Sequence, residues 1–553
     1  MSEQRPWLKN YPKGIPANID PDAYPTLVAM FEETFKKYAK RPAFSCMGKT
    51  LSYEQVDKLS KNFGAYLHSR GLEAGDRIAL MMPNLIQYPI ALFGALRAGL
   101  LVVNTNPLYT PREMHHQFTD AGVKAIIIAE NYAANLQKII SDTEIKTVII
   151  TSLGEMLGFP KKQLINFVVR NIKRIVPKYD IPNTVSFTEA LTQGKKFTLK
   201  PYQGTQDDVI VLQYTGGTTG VAKGAMLTNR NLVSNMQQIR SWMMPFLKEQ
   251  GEIAICPLPL YHIFAFTVNC LAMMNIGALS VLITNPRDLS SVVKVMKTHP
   301  FTLFTGVNTL FNALVNYKDF ASVDFSSLKV SVGGGMAVQR SVAEKWQKIT
   351  GCFLSEGYGM TESSPVATTN PLDGTGRLGT IGLPLPSTIM RIVDDQGAAL
   401  PIGEVGEIQI QGPQVMKGYY NRPESTANTI KDGWLSTGDI GKMNEEGFFQ
   451  IVDRKKDMIL VSGFNVFPNE IEEVIASHPK VMEVAAVGVP HEKSGEVVKV
   501  FIVKKDKSLD KKEIIAFCRE NLTGYKVPKE VVFKKDLPKT NVGKILRREL
   551  REK

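Results

Sequence analysis

The sequence predicts an α/β protein: a large N-terminal domain of α/β subdomains, a β-rich barrel-like part, and a small α+β C-terminal domain. Three observations carry that prediction. Short apolar runs alternate with helical patterns from residue 23 to about residue 150, the order that builds a mainly parallel sheet. A strand-forming stretch rich in Gly and Pro follows Gly379 and runs through Tyr419. A charge cluster, DRKKD at 453–457, then precedes about a hundred residues in which two helical patterns flank two strands, an ordinary domain size. The expected boundary separates residues 1–453 from 454–553.

Each element has a local reason. Leu27, Met30, Phe31 and Phe35 share a helical face, followed by a strand pair and a helix near 53–70. IALMM at 78–82 and LVV at 101–103 read as strands on either side of a helix over 89–98; AIII at 125–128 and TVII at 147–150 continue the alternation. VIVL at 209–212 reads as a buried strand, and Thr228 as the cap of a helix beginning near Asn229. Residues 253–286 contain no Asp, Glu, Lys or Arg. A membrane span needs about 20 predominantly apolar residues. Here Pro257, Pro259, His262, Asn269, Asn275 and Gly277 interrupt the run, so the expectation is a buried strand and then a buried helix from about Phe264, part core and part wall of an apolar pocket. FTLFTG at 301–306 leads to a helix from Val307, and VSVGGGM at 330–336 and CFLSEGYGMTE at 352–362 follow. Strand ends that carry Gly-rich loops are where open α/β sheets bind ligands.

Composition narrows the function classes. A chain of 553 residues at 44% hydrophobic content can bury more than one core. The net charge of +13 implies anionic partners, but no nucleic-acid motif and no interleaved aromatic and basic stripe is present, so no nucleic-acid partner is expected. Cys46, Cys256, Cys270, Cys352 and Cys518 make no paired spacing, as in a reducing compartment. The N-terminal MSEQRPWLKNYPKG lacks an apolar signal core, which suits a cytoplasmic chain.

Residues 161–178 form a separate case. Leu164, Phe167, Val168, Ile172 and Ile175 fall on one helical face, while Lys161, Lys162, Arg170, Lys173, Arg174 and Lys178 add six positive charges with no acid between them. Such a helix can lie on an anionic bilayer; the same face also suits a surface helix packed on its own domain.

The densest chemical signal is YTGGTTGVAKG at 214–224. Gly216, Gly217, Gly220 and Gly224 free the backbone to turn N–H groups onto a phosphate, Thr215, Thr218 and Thr219 add neutral donors, and Lys223 adds a mobile charge. This is not a Walker A loop: Lys223 sits between Ala222 and Gly224, so no hydroxyl follows it to meet magnesium.

That loop, together with 333–336, 357–362, 432–439, 453–465 and 537–547, resembles in order the motifs of the AMP-forming acyl-adenylate ligases: acyl-CoA synthetases, adenylation domains and luciferases. Similarity to their bacterial long-chain fatty-acyl-CoA synthetase branch spans nearly the whole chain, including residues 7–16, MPNL at 82–85, NPLY at 106–109 and LYHIFA at 260–265. The resemblance implies ATP, Mg²⁺ and coenzyme A as cofactors and a long-chain fatty acid as substrate, activated for β-oxidation or lipid synthesis. A fatty carboxylate attacks the α-phosphorus of ATP; the thiol of coenzyme A then displaces AMP.

The resemblance also assigns roles. The 215–224 loop holds the β- and γ-phosphates. Gly333, Gly334, Gly335 and Met336, with Gly357 and Tyr358, line an adenine slot in which the Tyr358 ring is a stacking face. Thr361 meets the α-phosphate and Glu362 the Mg²⁺. Asp439 accepts the ribose hydroxyls, and Arg454 reaches ribose or phosphate. Lys544 bridges carboxylate and ribose oxygens during adenylation. Lys456 is the interdomain hinge of a mobile C-terminal domain, whose rotation brings Ser462, Gly463 and Phe464 to a thiol tunnel. His262 joins the catalytic group and, with Phe264, Val307, Asn308 and Gly335, the acyl pocket. Gly359 stands where acetate-using relatives place a bulky aromatic and leaves room for a long chain. The expected location is the cytoplasmic face of an anionic membrane, with a homodimer one assembly left open. The alternatives are a fatty-acyl-AMP ligase that loads a carrier protein, a non-catalytic fatty-acid import protein, and a phosphate-transferring ATPase.

Overall fold

The computed structural model describes residues 5–215, 222–461, 464–491, 494–540 and 543–551. In an eight-stranded sheet, Arg77–Met81 lies parallel between Leu101–Asn104 and Val123–Ala129, with Val209–Thr215 and Thr147–Thr151 outside them. These strands are the apolar runs of the sequence, and Ile78, Val102, Ile127 and Val211 are fully buried. Val209–Thr215 returns as the antiparallel strand Lys223–Thr228, so the glycine-rich stretch joins the two strands of a hairpin. Sequence patterning missed this second strand. Thr228 caps helix Asn229–Met243, its hydroxyl accepting from the Asn231 N–H while the Asn231 amide oxygen accepts from the Thr228 N–H; this reciprocal pairing fixes where the helix starts.

The second sheet has nine strands. Leu279–Leu282, Ile253–Cys256, Leu303–Gly306, Val330–Gly334 and Leu354–Gly359 run parallel through its middle. The last three end in glycines at neighbouring positions, and those ends form the floor of the site. The charge-free segment is a strand followed by buried helical turns from Ile263 to Asn275. Among the described residues no helix is long and apolar enough to cross a membrane.

Five antiparallel strands form a third sheet, including Ile389–Val393, Gly406–Gln411, Trp434–Met443 and Phe449–Arg454. The small C-terminal domain has its own sheet. Gly495–Lys504 pairs with Val481–His491 and with Glu530–Lys534, over a separate core of Ile459, Ile471, Ile475, Val500, Ile502 and Ile514.

The 161–178 expectation needs correction. Helical turns run through Lys161–Phe167 and Val168–Ile172 and stop there; Arg174 takes a positive φ of 51°, so Ile175 and Lys178 lie outside the helix. The charge is not unopposed either: Arg170 pairs with the buried Glu130 at 2.6 Å. Glu130 is 40 residues away in sequence, so no local pattern could reveal it. Yet the apolar residues of the predicted face do point outward: Leu164 is 62% exposed, Phe167 57% and Ile172 65%.

Candidate active site

The parallel strand ends place glycines where side chains cannot go. Gly335 has φ +77°, and a Cβ there would stand 3.3 Å from the Cε of Lys544. Gly359 is more constrained: a Cβ would fall 1.9 Å from the Pro365 carbonyl oxygen. With no side chain, Gly359 leaves its backbone in the wall of the apolar cavity beside Lys544. Its backbone packs against the bulged partner strand Val366–Thr369, and no L side chain fits at all.

Tyr358 leaves the same strand beside the floor, and its hydroxyl donates to Asp439 Oδ2 at 2.6 Å. Asp439 and Arg454 face each other across an antiparallel register pair, with Arg454 Nε 3.2 Å from Asp439 Oδ1. The structure thus joins three residues that the sequence placed in separate motifs. Burial pushes the Tyr358 hydroxyl well above its usual range, and the neighbouring Asp439 charge reinforces this, so the phenol remains a donor.

Lys544 reaches this group from the C-terminal domain. Its loop is closed by the Lys544 N–H on Thr540 Oγ1 at 3.0 Å and by the Thr540 N–H on the Lys544 carbonyl at 2.7 Å. It is seated on the large domain by Thr309 Oγ1 donating to the Gly543 carbonyl at 3.2 Å. Burial, with the Arg454 charge nearby, pushes Lys544 down to about 8. His262 is pushed down to about 3 by burial first and Lys544 second, so its ring is neutral at physiological pH. Its Nδ1 accepts from the Phe264 N–H at 3.3 Å, which leaves the ring proton on Nε2.

Thr361 and Glu362 open a short turn after Met360. Glu362 is buried, which raises its carboxyl, and its Oε1 accepts from the Tyr419 hydroxyl at 2.6 Å. Lys223 Nζ lies 5.2 Å from the Tyr419 ring centroid. No group of three or more His, Cys, Asp or Glu able to hold a metal occurs among the described residues. A single buried carboxylate such as Glu362 nevertheless suits Mg²⁺, which is commonly held by one or two carboxylates plus substrate phosphates.

An apolar cavity of about 90 Å³ opens beside Lys544. His262, Phe264 and Gly335 line it as predicted, but Val307 and Asn308 do not. The Asn308 side chain instead accepts from the Gln339 N–H at 3.0 Å. Among the described residues Lys544 is the one charged residue in the wall, and no acid is present. Sequence reasoning missed Ile239, Trp242 and Met243, which supply another wall. Their apolar recurrence along helix Asn229–Met243 was the available signal.

The remaining sequence-predicted positions are less informative. Gly216, Gly217, Thr218, Thr219 and Gly220 lie outside the described residues, as do Ser462 and Gly463. Phe464 is 56% exposed and stacks on Tyr525 with ring centroids 4.8 Å apart; it is not in the cavity wall. Lys456 is pushed down to about 8 by burial, helped by Arg454. Around it Arg547 pairs with Asp453 at 3.4 Å, Asp457 at 3.3 Å and Glu472 at 2.8 Å.

This fold and site define a nucleotide-dependent, adenylate-forming enzyme. Residues 31–420 match the AMP-binding enzyme family and residues 470–544 the AMP-binding enzyme C-terminal domain, and the chain belongs to that family. It is 55% identical to a long-chain-fatty-acid–CoA ligase of Yersinia pestis, over 99% of this chain and 98% of the relative. It is 52% identical to one of Haemophilus influenzae over the same shares. Among solved structures it resembles ATP-bound MatB from Rhodopseudomonas palustris (TM-score 0.83, 28% identity, 95% of this chain and 98% of the other). It shares its fold with the anthranilate CoA ligase AuaEII in complex with anthranoyl-AMP (TM-score 0.86, 23% identity, 97% and 98%).

Proposed function

We propose that this chain ligates long-chain fatty acids to coenzyme A with ATP, forming an acyl-adenylate on the way. The full-length identity of 52–55% to long-chain-fatty-acid–CoA ligases supports the overall reaction. The single structural observation that carries the site reading is Lys544, a lone cation seated in the apolar wall beside Gly335 and the Asp439–Arg454 pair.

In the first step a carboxylate oxygen bonds to the α-phosphorus and the bond to pyrophosphate breaks. Two anions must approach, so fixed charge and N–H dipoles have to offset their repulsion. Lys544 lies where carboxylate and ribose oxygens would meet, with Asp439 and Tyr358 on the ribose and adenine side and Lys223 toward the outer phosphates. Neutral His262 can offer its Nε2 proton to the carboxylate without competing for charge, and Thr361 can offer its hydroxyl to the α-phosphate. Mg²⁺, held by Glu362 and substrate phosphates, would supply further positive charge. In the second step the thiol sulfur of coenzyme A bonds to the acyl carbon, the thiol proton is released, and AMP departs. Lys544 then occupies space that the thiol arm needs. Rotation of residues 454–553 about Lys456 removes it and brings the 462–464 segment to the site.

The enzyme would work against the cytoplasmic face of an anionic membrane. Phe159, Leu164, Phe167, Ile172 and Ile175 are all exposed large apolar residues, and Lys161, Lys162, Lys173, Arg174 and Lys178 make no ion pair among the described residues. The segment is held with these side chains outward: Asn166 bonds the Gly154 N–H and Ser152 Oγ at 2.9 Å each, and Asn131 Nδ2 donates to the Ile175 carbonyl at 3.1 Å.

The deciding assay is pyrophosphate release with palmitate, ATP and Mg²⁺, with and without coenzyme A. Palmitoyl-CoA should accumulate in step with turnover. Adenylate formation with no transfer to free coenzyme A would instead favour loading of a carrier protein.

A further inference from the structure

Tyr419 sits on a two-residue strand, Gly418–Tyr419, that pairs with the start of the strand following the phosphate loop, Tyr419 opposite Ala225 and Gly418 opposite Met226. The segment is fastened at both ends. The Met416 N–H donates to the Glu362 carbonyl and the Tyr420 N–H to the Gly224 carbonyl, each at 2.8 Å. Gly418 permits the approach, since a Cβ there would stand 2.7 Å from Thr426 Cγ2. The Tyr419 ring therefore occupies a fixed place between two groups that belong to different motifs. Its hydroxyl donates to Glu362 Oε1 at 2.6 Å, and its face carries Lys223 Nζ at 5.2 Å.

Both contacts leave work for the partner. A hydroxyl on Oε1 fixes the plane of the Glu362 carboxylate and leaves Oε2 for a cation. Partners of this kind set the direction of a metal-binding group, and their loss commonly costs about 10–100-fold in metal affinity. A ring under an ammonium steadies it without consuming its hydrogen-bond donors, so Lys223 remains able to bond phosphate oxygens. A neutral residue can orient both groups at once, whereas a charged one would favour one and repel the other.

We propose that Tyr419 is a positioning residue for the nucleotide–cation complex, aiming the Glu362 carboxylate through its hydroxyl and the Lys223 ammonium through its ring. This rests on the reading that Glu362 receives the divalent cation.

The test is binding without turnover. Mn²⁺ is titrated by electron paramagnetic resonance against the whole enzyme with ATP and no fatty acid, and ATP affinity is measured separately in EDTA. Tyr419→Phe keeps the ring and removes the hydroxyl. It should weaken Mn²⁺ binding about 10–100-fold while leaving metal-free ATP affinity within about twofold. Tyr419→Leu removes both contacts and should weaken metal-free ATP binding as well. Glu362→Gln is the reference. If it weakens Mn²⁺ binding and Tyr419→Phe does not, the positioning role is wrong and the Glu362 reading stands. If Glu362→Gln itself leaves Mn²⁺ binding unchanged, both fall. Thermal melts without nucleotide establish that each variant is folded. A loss of Mn²⁺ and metal-free ATP binding together in Tyr419→Phe would show general damage and overturn the proposal.

Discussion

Lys544 of the small domain lies against Gly335 of the large one, so closely that a Cβ on Gly335 would be 3.3 Å from the lysine Cε. On the proposed reading this arrangement serves adenylation. Lys544→Ala should slow adenylation by about 10²–10³, the usual cost of one preorganised electrostatic contact, while thioester formation from supplied acyl-AMP stays largely intact. Single-turnover pyrophosphate release and acyl-CoA formation measure the two steps separately. Equal loss in both, with folding intact, would remove Lys544 from its assigned step.

The pH dependence follows from the same residue. Burial holds Lys544 near 8, and on the proposed reading adenylation needs its charge. The kcat/KM for pyrophosphate release should therefore fall as pH rises through about 8, and Lys544→Ala should lack that inflection. The stability effect has the opposite sign. The folded value lies below the ordinary 10.5, so the unfolded chain binds more protons between the two. This group's contribution thus makes the fold more stable as pH rises across that window. His262, held near 3, should add no inflection between about pH 5 and 8.

Rotation can be tested at Lys456. Its N–H donates to no backbone carbonyl among the described residues, whereas the Lys455 N–H bonds the Gly438 carbonyl at 3.0 Å and the Asp457 N–H the Arg454 carbonyl at 2.9 Å. Proline at 456 therefore removes no such bond and stiffens one φ. Lys456→Pro should slow the second half-reaction and spare the first. Slowing of adenylation alone would move the hinge elsewhere.

Chain-length selectivity should respond to bulk added to the side chains of the cavity wall. Val268→Phe places a ring where a fatty chain would lie. At about 1–3 kcal/mol per excluded methylene, it should reduce kcat/KM for palmitate at least about tenfold more than for butyrate. Gly359→Trp should depress every chain length alike, because its Cβ already collides with Pro365.

Membrane contact should be salt-sensitive and confined to 159–178. Neutralising Lys161, Lys162, Lys173 and Arg174 removes about 1 kcal/mol per charge near an anionic surface, together roughly 10³ in partition to phosphatidylserine vesicles. Arg170 is left in place because it neutralises Glu130. Vesicle co-sedimentation at low and high salt reads the effect, and unchanged binding would dismiss this surface.

The sequence by itself determined whatever is local. Alternating apolar runs gave the parallel strands, Thr228 gave a helix start, and glycines at successive strand ends marked the floor of the site. The order of six motifs identified the chemistry, because each presents its groups within a dozen or so residues. Tertiary structure alone decided which groups meet. Tyr419 and Glu362 are 57 residues apart and Tyr358 and Asp439 are 81 apart; such pairs exist only once sheets bring strand ends together. The same cause explains the misreadings. Arg170 looked unopposed because Glu130 approaches from another element. Asn308 looked like a pocket residue because the Gln339 N–H that its side chain accepts from lies 31 residues away. Periodicity and caps report a residue's own turn or strand, whereas steric and electrostatic demands from across the fold leave no trace at its position beyond the residue type itself.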